Sequence, residues 1–145
     1  MSVDVQSEVV ISRPRYQVAE FMFDPKNDRL WMTGFIRVFP MQSGPLVNGA
    51  RVERIGSFLN RKFSAVYVVN KAEEGKSVEM VTDEPFNMRF RYDLSDDGDA
   101  TRVRLQIQSY GELLFKTPIP IFRKAVEEKL NEEAKRLKRY LENGD

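Results

Sequence analysis

The C-terminal part of the chain has the hydrophobic spacing of one long helix. Between Pro118 and Asn143, apolar residues recur at steps of three and four, which places them on one helical face. These positions are Ile119, Phe122, Val126, Leu130, Ala134, Leu137 and Leu141. Pro118 and Pro120 fit only in a first turn, and Asn143-Gly144 is a common C-terminal signal. At about 1.5 Å per residue the helix spans roughly 35 Å, so it needs a large apolar surface to lie on.

The preceding chain predicts short strands, because apolar and polar residues alternate in most of its segments. Between Met88 and Leu94, for example, every second residue is apolar and the residues between are charged. The predicted strands cover residues 3–11, 35–41, 51–59, 62–70, 77–82, 88–95 and 101–110. Short turn segments, such as Asp96-Asp97-Gly98-Asp99, separate them.

Two short helices are predicted between the first and second strands. Ser12-Arg13-Pro14 opens the first, with Ser12 as its cap and Pro14 in its first turn. Asp24-Pro25 ends it, because the residue before a proline leaves the helical region. A second helical piece is predicted at residues 26–31.

This order of elements predicts an α+β fold. The connections between strands are short, so the sheet should be antiparallel. One face of the sheet should meet water and the other the long helix. The expected architecture is a seven-stranded antiparallel sheet wrapped around a long C-terminal helix, with two short helices between strands 1 and 2. At 145 residues, the chain is expected to form a single domain, 1–145.

The composition excludes several kinds of functional site. The chain has no cysteine, which rules out disulfides, thiol nucleophiles and cysteine metal sites. It has no histidine, the commonest general base and transition-metal ligand. The net charge of +1 gives no electrostatic case for nucleic acid, and no apolar run approaches a membrane span. Without a signal peptide, the expectation is a cytoplasmic protein with no cofactor, metal or nucleic-acid partner.

Short motifs follow one another along the chain in a recognisable order. The first strand is followed by Ser12-Arg13-Pro14, Val18 and Phe21, an apolar strand leading into a helix with proline, valine and an aromatic ring. Asp24-Pro25-Lys26-Asn27 comes next, and Trp31 follows it. Each motif is short, so their order and spacing carry the comparison.

Later motifs extend the same pattern nearly to the end of the chain. Gly44 and Gly49 stand at a second hairpin, Gly98 precedes Thr101-Arg102 in a turn, and the closing helix carries Leu137 and a basic tail. In this order the sequence resembles the SRPBCC superfamily, with its START-like or helix-grip fold. It is most similar to the bacterial polyketide cyclase/dehydrase-like branch. The superfamily contains lipid carriers, hormone receptors, aromatase/cyclases and chaperone activators, so the resemblance specifies fold better than function.

The resemblance implies a ligand cavity between the sheet and the long helix. A coiled sheet that grips one helix leaves space, and the chain offers many large rings and several methionines to line it. The residues expected to bind ligand are Trp31, Phe35, Arg54, Phe58, Phe63, Tyr67, Met80, Phe90, Tyr92, Tyr110, Phe115, Phe122 and Val126. An opening is expected near residues 31–35 and 111–115, where the least regular segments lie.

Two polar residues are weak catalytic candidates. Arg54 lies on the same face of its strand as Val52 and Gly56. If this face is the inner one, the buried guanidinium needs an anionic partner. If the other face is the inner one, Arg54 lies in water. Glu112 lies near the expected mouth and is a candidate acid or base, or a solvated loop carboxylate.

Two further charged segments each allow two interpretations. Residues 93–99 imitate the first half of a calcium loop, but Arg104 stands where a glutamate is required, which favours a plain hairpin turn. The basic residues between Lys135 and Arg139 could contact acidic lipid headgroups or form an ordinary solvated helix face.

Three functions are compatible with these observations. The first is binding or carriage of a hydrophobic small molecule or lipid, which the helix-grip pattern, the aromatic residues and the lack of histidine favour. The second is a polyketide cyclase or dehydratase that relies on cavity shape and a few polar groups. The third is a protein-interaction module related to chaperone- or ribosome-associated family members, for which the sequence indicates no particular partner.

Overall fold

The computed structural model of the protein describes residues 2–84, 86–111 and 113–144. Its strands are β1 (Ser2–Ile11), β2 (Phe35–Pro40), β3 (Arg51–Phe58), β4 (Arg61–Glu73), β5 (Ser77–Thr82), β6 (Met88–Asp97) and β7 (Ala100–Tyr110). Its α-helices are α1 (Arg15–Met22), α2 (Asp28–Trp31) and α3 (Ile119–Asn143). Two 3-10 turns, Pro25–Asn27 and Leu114–Lys116, precede α2 and α3.

All seven strands form one antiparallel sheet in the order β1-β7-β6-β5-β4-β3-β2. Each strand from β2 to β7 pairs with its neighbour in sequence, as the short connections predict. A long-range pairing joins β1 to β7, from Ser2 opposite Tyr110 to Ile11 opposite Thr101. The predicted α+β helix-grip architecture, including two short helices between β1 and β2, is confirmed.

Helix α3 lies against the sheet along the predicted apolar stripe. Phe122, Val126, Leu130 and Leu137 are fully buried, and α3 has its most extensive sheet contact with β1. The helix ends where the sequence indicates, with Gly144 in the left-handed conformation. Burial of this stripe is the main apolar contribution that holds helix and sheet together.

The start of α1 differs from the prediction. Pro14, not Ser12, occupies the N-cap position, and no side chain from the described residues caps this helix. Ser12 instead donates its backbone N–H to the Glu142 carboxylate at 2.7 Å, near the end of α3. The proposed Ser12 cap is therefore wrong, because a tertiary contact with the C-terminal helix replaces the local one.

The two charged segments that each allowed two interpretations, residues 93–99 and 135–139, form contacts within the protein. In β6, the Asp93 carboxylate accepts a hydrogen bond from Arg91 at 2.9 Å and lies 3.6 Å from Arg104. Within the described residues, no three acidic, histidine or cysteine side chains are grouped to hold a metal ion. Lys138 donates to the Val10 carbonyl and to Glu142. No helix in the described ranges is long and apolar enough to cross a membrane.

Candidate ligand-binding cavity

A cavity of about 340 Å³ lies between α3 and the strands that face its first half. Its wall is formed by β2, β3, β4, β6 and α3, together with the α2–β2 connection, Leu59 after β3, Phe86 before β6 and the segment before α3. The lining residues are Thr33, Gly34, Phe35, Ser57, Phe58, Leu59, Phe63, Tyr67, Phe86, Met88, Phe90, Leu114, Phe122, Ala125, Val126, Glu128, Lys129 and Glu132. The cavity reaches solvent beside exposed Leu59, Glu128 and Glu132.

Two glycines bring the α2–β2 connection close to β3 at the cavity wall. Gly34 has a φ of +87°, a backbone conformation that residues with a side chain rarely adopt. Its carbonyl accepts a 2.8 Å hydrogen bond from the Ser57 N–H. A Cβ at Gly56 would lie 2.5 Å from the Gly34 carbonyl and 2.8 Å from the Phe63 ring. The connection can therefore lie against β3 only because Gly56 has no side chain.

The cavity wall contains aromatic rings packed edge to face. Tyr67 and Phe90, from β4 and β6, have ring centroids 5.2 Å apart at an interplanar angle of 83°. Phe35 packs on Phe63 in the same way at 6.4 Å. Phe58 contacts Phe122 of α3 at 5.4 Å. These contacts fix the rings at the cavity surface, so the wall is apolar and largely preformed.

A fully buried ion pair lies behind this wall. Arg54 of β3 donates from Nε and Nη2 to Oδ2 of Asp28, at 3.2 and 2.7 Å. Its guanidinium lies 5.0 Å from the Phe35 ring centroid and 4.8 Å from that of Tyr67. Arg54 thus points inward, on the same face of β3 as Val52 and Gly56, and not into water. It contacts rings that line the cavity without lining the cavity itself.

Burial controls the ionisation of the two tyrosines beside this pair. Burial raises the pKa of the Tyr67 phenol, and only the nearby Arg54 charge opposes the rise. The pKa of Tyr92 is also raised well above its ordinary value by burial. Both phenols are therefore neutral at physiological pH, so they can donate hydrogen bonds but do not supply a phenolate base.

A second charged pair holds the cavity mouth. Lys129 donates from Nζ to the Thr33 carbonyl at 2.6 Å and to the Glu133 carboxylate. Glu133 also accepts the Thr33 backbone N–H at 2.9 Å. The Lys129 ammonium lies 4.8 Å from the centre of the Phe35 ring. Helix α3 thereby holds the α2–β2 connection through the backbone N–H and carbonyl of Thr33.

The structure places about half of the sequence-predicted ligand-binding residues on the cavity wall. The residues on the wall are Phe35, Phe58, Phe63, Tyr67, Phe90, Phe122 and Val126. Those buried outside the lining are Trp31, Arg54, Met80 and Tyr92. The predicted mouth segments contribute Thr33, Gly34 and Leu114 to the wall.

Two residues predicted to bind ligand, Tyr110 and Phe115, have other surroundings. Tyr110 is 41% exposed, with the Arg89 guanidinium 5.9 Å from its ring centroid, and is not among the lining residues. Phe115 is half-buried under Arg61, at 5.3 Å, also outside the lining. Glu112 lies outside the described residues. Phe115 has a left-handed backbone with a φ of 59°, which no sequence signal indicated.

Sequence reasoning missed the polar part of the wall. It did not select Ser57, Glu128, Lys129 or Glu132 as ligand-binding residues, although all of them line the cavity. The apolar Leu59 and Phe86 also line it and were also not selected. The charged ones resemble any solvated helix face in the sequence. A usable signal was the helical spacing of Lys129 and Glu133, because Glu133 falls beside the apolar stripe and is buried.

Several solved structures have a similar fold. A START superfamily protein from Mycobacterium smegmatis is 14% identical, with 98% of this chain and 99% of that chain covered and a TM-score of 0.81. The TTHA0849 protein of Thermus thermophilus is also 14% identical, with 99% of each chain covered and a TM-score of 0.78. The Aha1 dimer protein of Colwellia psychrerythraea is 17% identical over 99% and 98%, with a TM-score of 0.73.

Sequence comparison adds no nearer relative. No protein-family model and no curated protein matches the chain. At these low identities, the structural likeness identifies the architecture alone. It agrees with the strand order, the two short helices and the position of α3. The chain has a START-like helix-grip fold.

Proposed function

We propose that this protein binds or carries a hydrophobic small molecule or lipid in the cavity between the sheet and α3. The observation that carries the proposal is the 340 Å³ cavity itself, lined mainly by Phe, Met, Leu, Val and Tyr side chains. Most ligand sites for small molecules are apolar clefts of about 300–1,000 Å³ with a few polar groups. The expected setting is the cytoplasm, with the ligand as the partner.

The state of the polar groups favours binding over catalysis. Arg54 is paired with Asp28 behind the wall, and Lys129 is paired with Glu133 at the mouth. Tyr67 faces the cavity as a neutral phenol. The neutral Tyr67 phenol does not act as a general base, and the other polar groups named here are held in ion pairs. We therefore place carriage ahead of a polyketide cyclase or dehydratase reaction.

Direct binding measurements test the proposal. Native mass spectrometry of freshly purified protein should show a retained apolar molecule. An uncharged naphthylamine dye should bind with micromolar affinity, or roughly −8 kcal/mol, with a rise in fluorescence. Absence of both signals would contradict the proposal and favour the interaction-module hypothesis, which a stable complex recovered from lysate would then support.

A cavity-filling variant shows whether the dye occupies this site. Ala125→Phe places a ring on the lining of the cavity and should weaken dye binding at least tenfold, with circular dichroism unchanged. Lys124→Phe is the matched control, because Lys124 is the exposed neighbour and does not line the cavity. Equal effects of the two variants would mean that the dye binds elsewhere.

A further inference from the structure

The ionised side chains described on the cavity wall all come from one stretch of α3. They are Glu128, Lys129 and Glu132, while β3, β4, β6 and the α2–β2 connection contribute only uncharged residues to the described lining. Any charged group of a bound amphiphile would therefore meet this part of the helix. The balance of charge there determines which head group the cavity accepts.

The one cation among the described lining residues is already engaged in contacts within the protein. Lys129 has three N–H groups. One donates to the Thr33 carbonyl and another to Glu133, while the ammonium as a whole lies over the Phe35 ring. Since Glu133 is buried beside it and carries the opposite charge, Lys129 adds almost no net positive charge at the mouth.

The two acidic residues at the rim are differently engaged. Glu132 forms an ion pair with Arg136 at 3.4 Å on the exposed face of the helix. Glu128 is exposed and has no ion pair among the described residues. The rim therefore carries a net negative charge, with Glu128 as the carboxylate free to meet a ligand.

We propose that the cavity selects an amphiphile whose polar end is a protonated amine, held at the rim by Glu128 with Glu132 beside it. An apolar chain would occupy the space between α3 and the sheet, and the ammonium would remain at the solvent-exposed mouth. A carboxylate head would meet there the like charge of Glu128, which is unpaired among the described residues, and bind more weakly. This inference rests on the proposed function and specifies the class of ligand for the same cavity.

Three ligands with the same chain separate head-group charge from apolar burial. Dodecylamine, dodecanol and dodecanoate would each displace the uncharged dye at neutral pH, below the concentrations at which they aggregate. We expect the amine to bind about fivefold more tightly than the alcohol, and the carboxylate about fivefold more weakly, as partly screened charges provide. Raising the salt to about 0.5 M should bring the three affinities together.

Charge variants on α3 test whether Glu128 causes the preference for the amine. Glu128→Gln should remove most of the preference for the amine, and Glu128→Lys should favour the carboxylate. Glu127→Gln and Glu127→Lys are the matched controls, since Glu127 is the exposed neighbour, absent from the lining, and its substitution changes the net charge equally. These controls should retain the preference of the unmodified protein.

The outcomes distinguish this inference from the function on which it rests. If dodecanol displaces the dye but the carboxylate binds as tightly as the amine, the amine preference is overturned while apolar binding stands. An equal effect of the Glu127 and Glu128 variants would also overturn it, because general surface charge would then explain the preference. If no dodecyl ligand displaces the dye and none binds directly in calorimetry, the inference fails with the proposed function.

Discussion

Arg54 donates two hydrogen bonds to one carboxylate oxygen of Asp28, at 3.2 and 2.7 Å, where both side chains are fully buried. The pair joins the middle of β3 to the first residue of α2. Because α2 leads directly into the residues of the cavity mouth, the pair helps to position one wall of the candidate site. The other Asp28 oxygen has no hydrogen-bond partner in the described part of the chain.

Arg54→Met should destabilise the protein by about 3–5 kcal/mol, because it leaves the buried Asp28 carboxylate without a counter-charge. Urea unfolding followed by circular dichroism measures the loss. The double variant Asp28→Leu with Arg54→Met removes both charges and should recover most of it. A double variant as unstable as the single one would show that the ionic interaction is not the cause.

Leu130→Ala should cost about 2–5 kcal/mol of unfolding free energy, since Leu130 is fully buried in the middle of α3 and the substitution leaves a cavity. Ile121→Ala is the control on the same helix, because Ile121 is 53% exposed. Its effect should stay below about 0.5 kcal/mol. Similar values for the two variants would contradict the packing of α3 described above.

Gly56→Ala should destabilise the fold by roughly 1–3 kcal/mol, because the new methyl group would overlap the Gly34 carbonyl. The same displacement of the α2–β2 connection should lower the affinity for an apolar dye. Ser64→Ala, at an exposed position of the adjacent strand, is the control and should change neither quantity. A neutral Gly56→Ala result would show that the connection does not depend on this close approach.

Glu142→Gln should make stability less dependent on acid pH. Hydrogen bonds from the Ser12 backbone N–H and from Lys138 lower the pKa of the Glu142 carboxyl below its ordinary value. A lowered folded-state pKa stabilises the protein above the unfolded pKa, and this contribution is lost as the pH falls through the folded pKa. At pH 7 the variant should therefore be less stable by about 0.5 kcal/mol after solvent screening.

The pH profile is the decisive part of that measurement. The difference between Glu142→Gln and the unmodified protein should shrink as the pH falls below the ordinary glutamate pKa of about 4. It should be gone below the lowered folded-state pKa, where the carboxyl is protonated in both states. A constant difference from about pH 7 to about pH 3 would exclude the proposed hydrogen bonding of the charged form.

Local sequence patterns were enough to predict the secondary structure and the fold class. The predicted strand 77–82 matches β5 residue for residue, and α3 begins one residue after the predicted start. Such agreement follows because burial of one face imposes a period of two on a strand and of 3.6 on a helix. Turn residues such as Gly98 and the C-terminal Gly144 add signals that act within a few residues.

The composition of the cavity wall was only partly predictable. Strand alternation predicted that Tyr67 and Phe90 face inward, and helical spacing predicted the same for Phe122. Neither pattern could separate the residues that line the cavity from those packed behind them. Tyr92 has the same parity as Phe90, yet it packs against Trp31 at 5.6 Å outside the lining. Odd or even position in a strand predicts the face on which a side chain lies. Whether that side chain reaches the cavity depends on how far along the strand it lies from the other walls.

The sequence by itself determined the elements, their order and the apolar stripe of α3, because these depend on contacts between residues close in the chain. Only the tertiary structure decided the inward position of Arg54, the hydrogen bonds that Lys129 and Glu133 form with Thr33, and the contact of the Ser12 N–H with Glu142. Each of these contacts joins residues that are far apart in the sequence. A buried charge requires a partner, but periodicity does not specify which element supplies it.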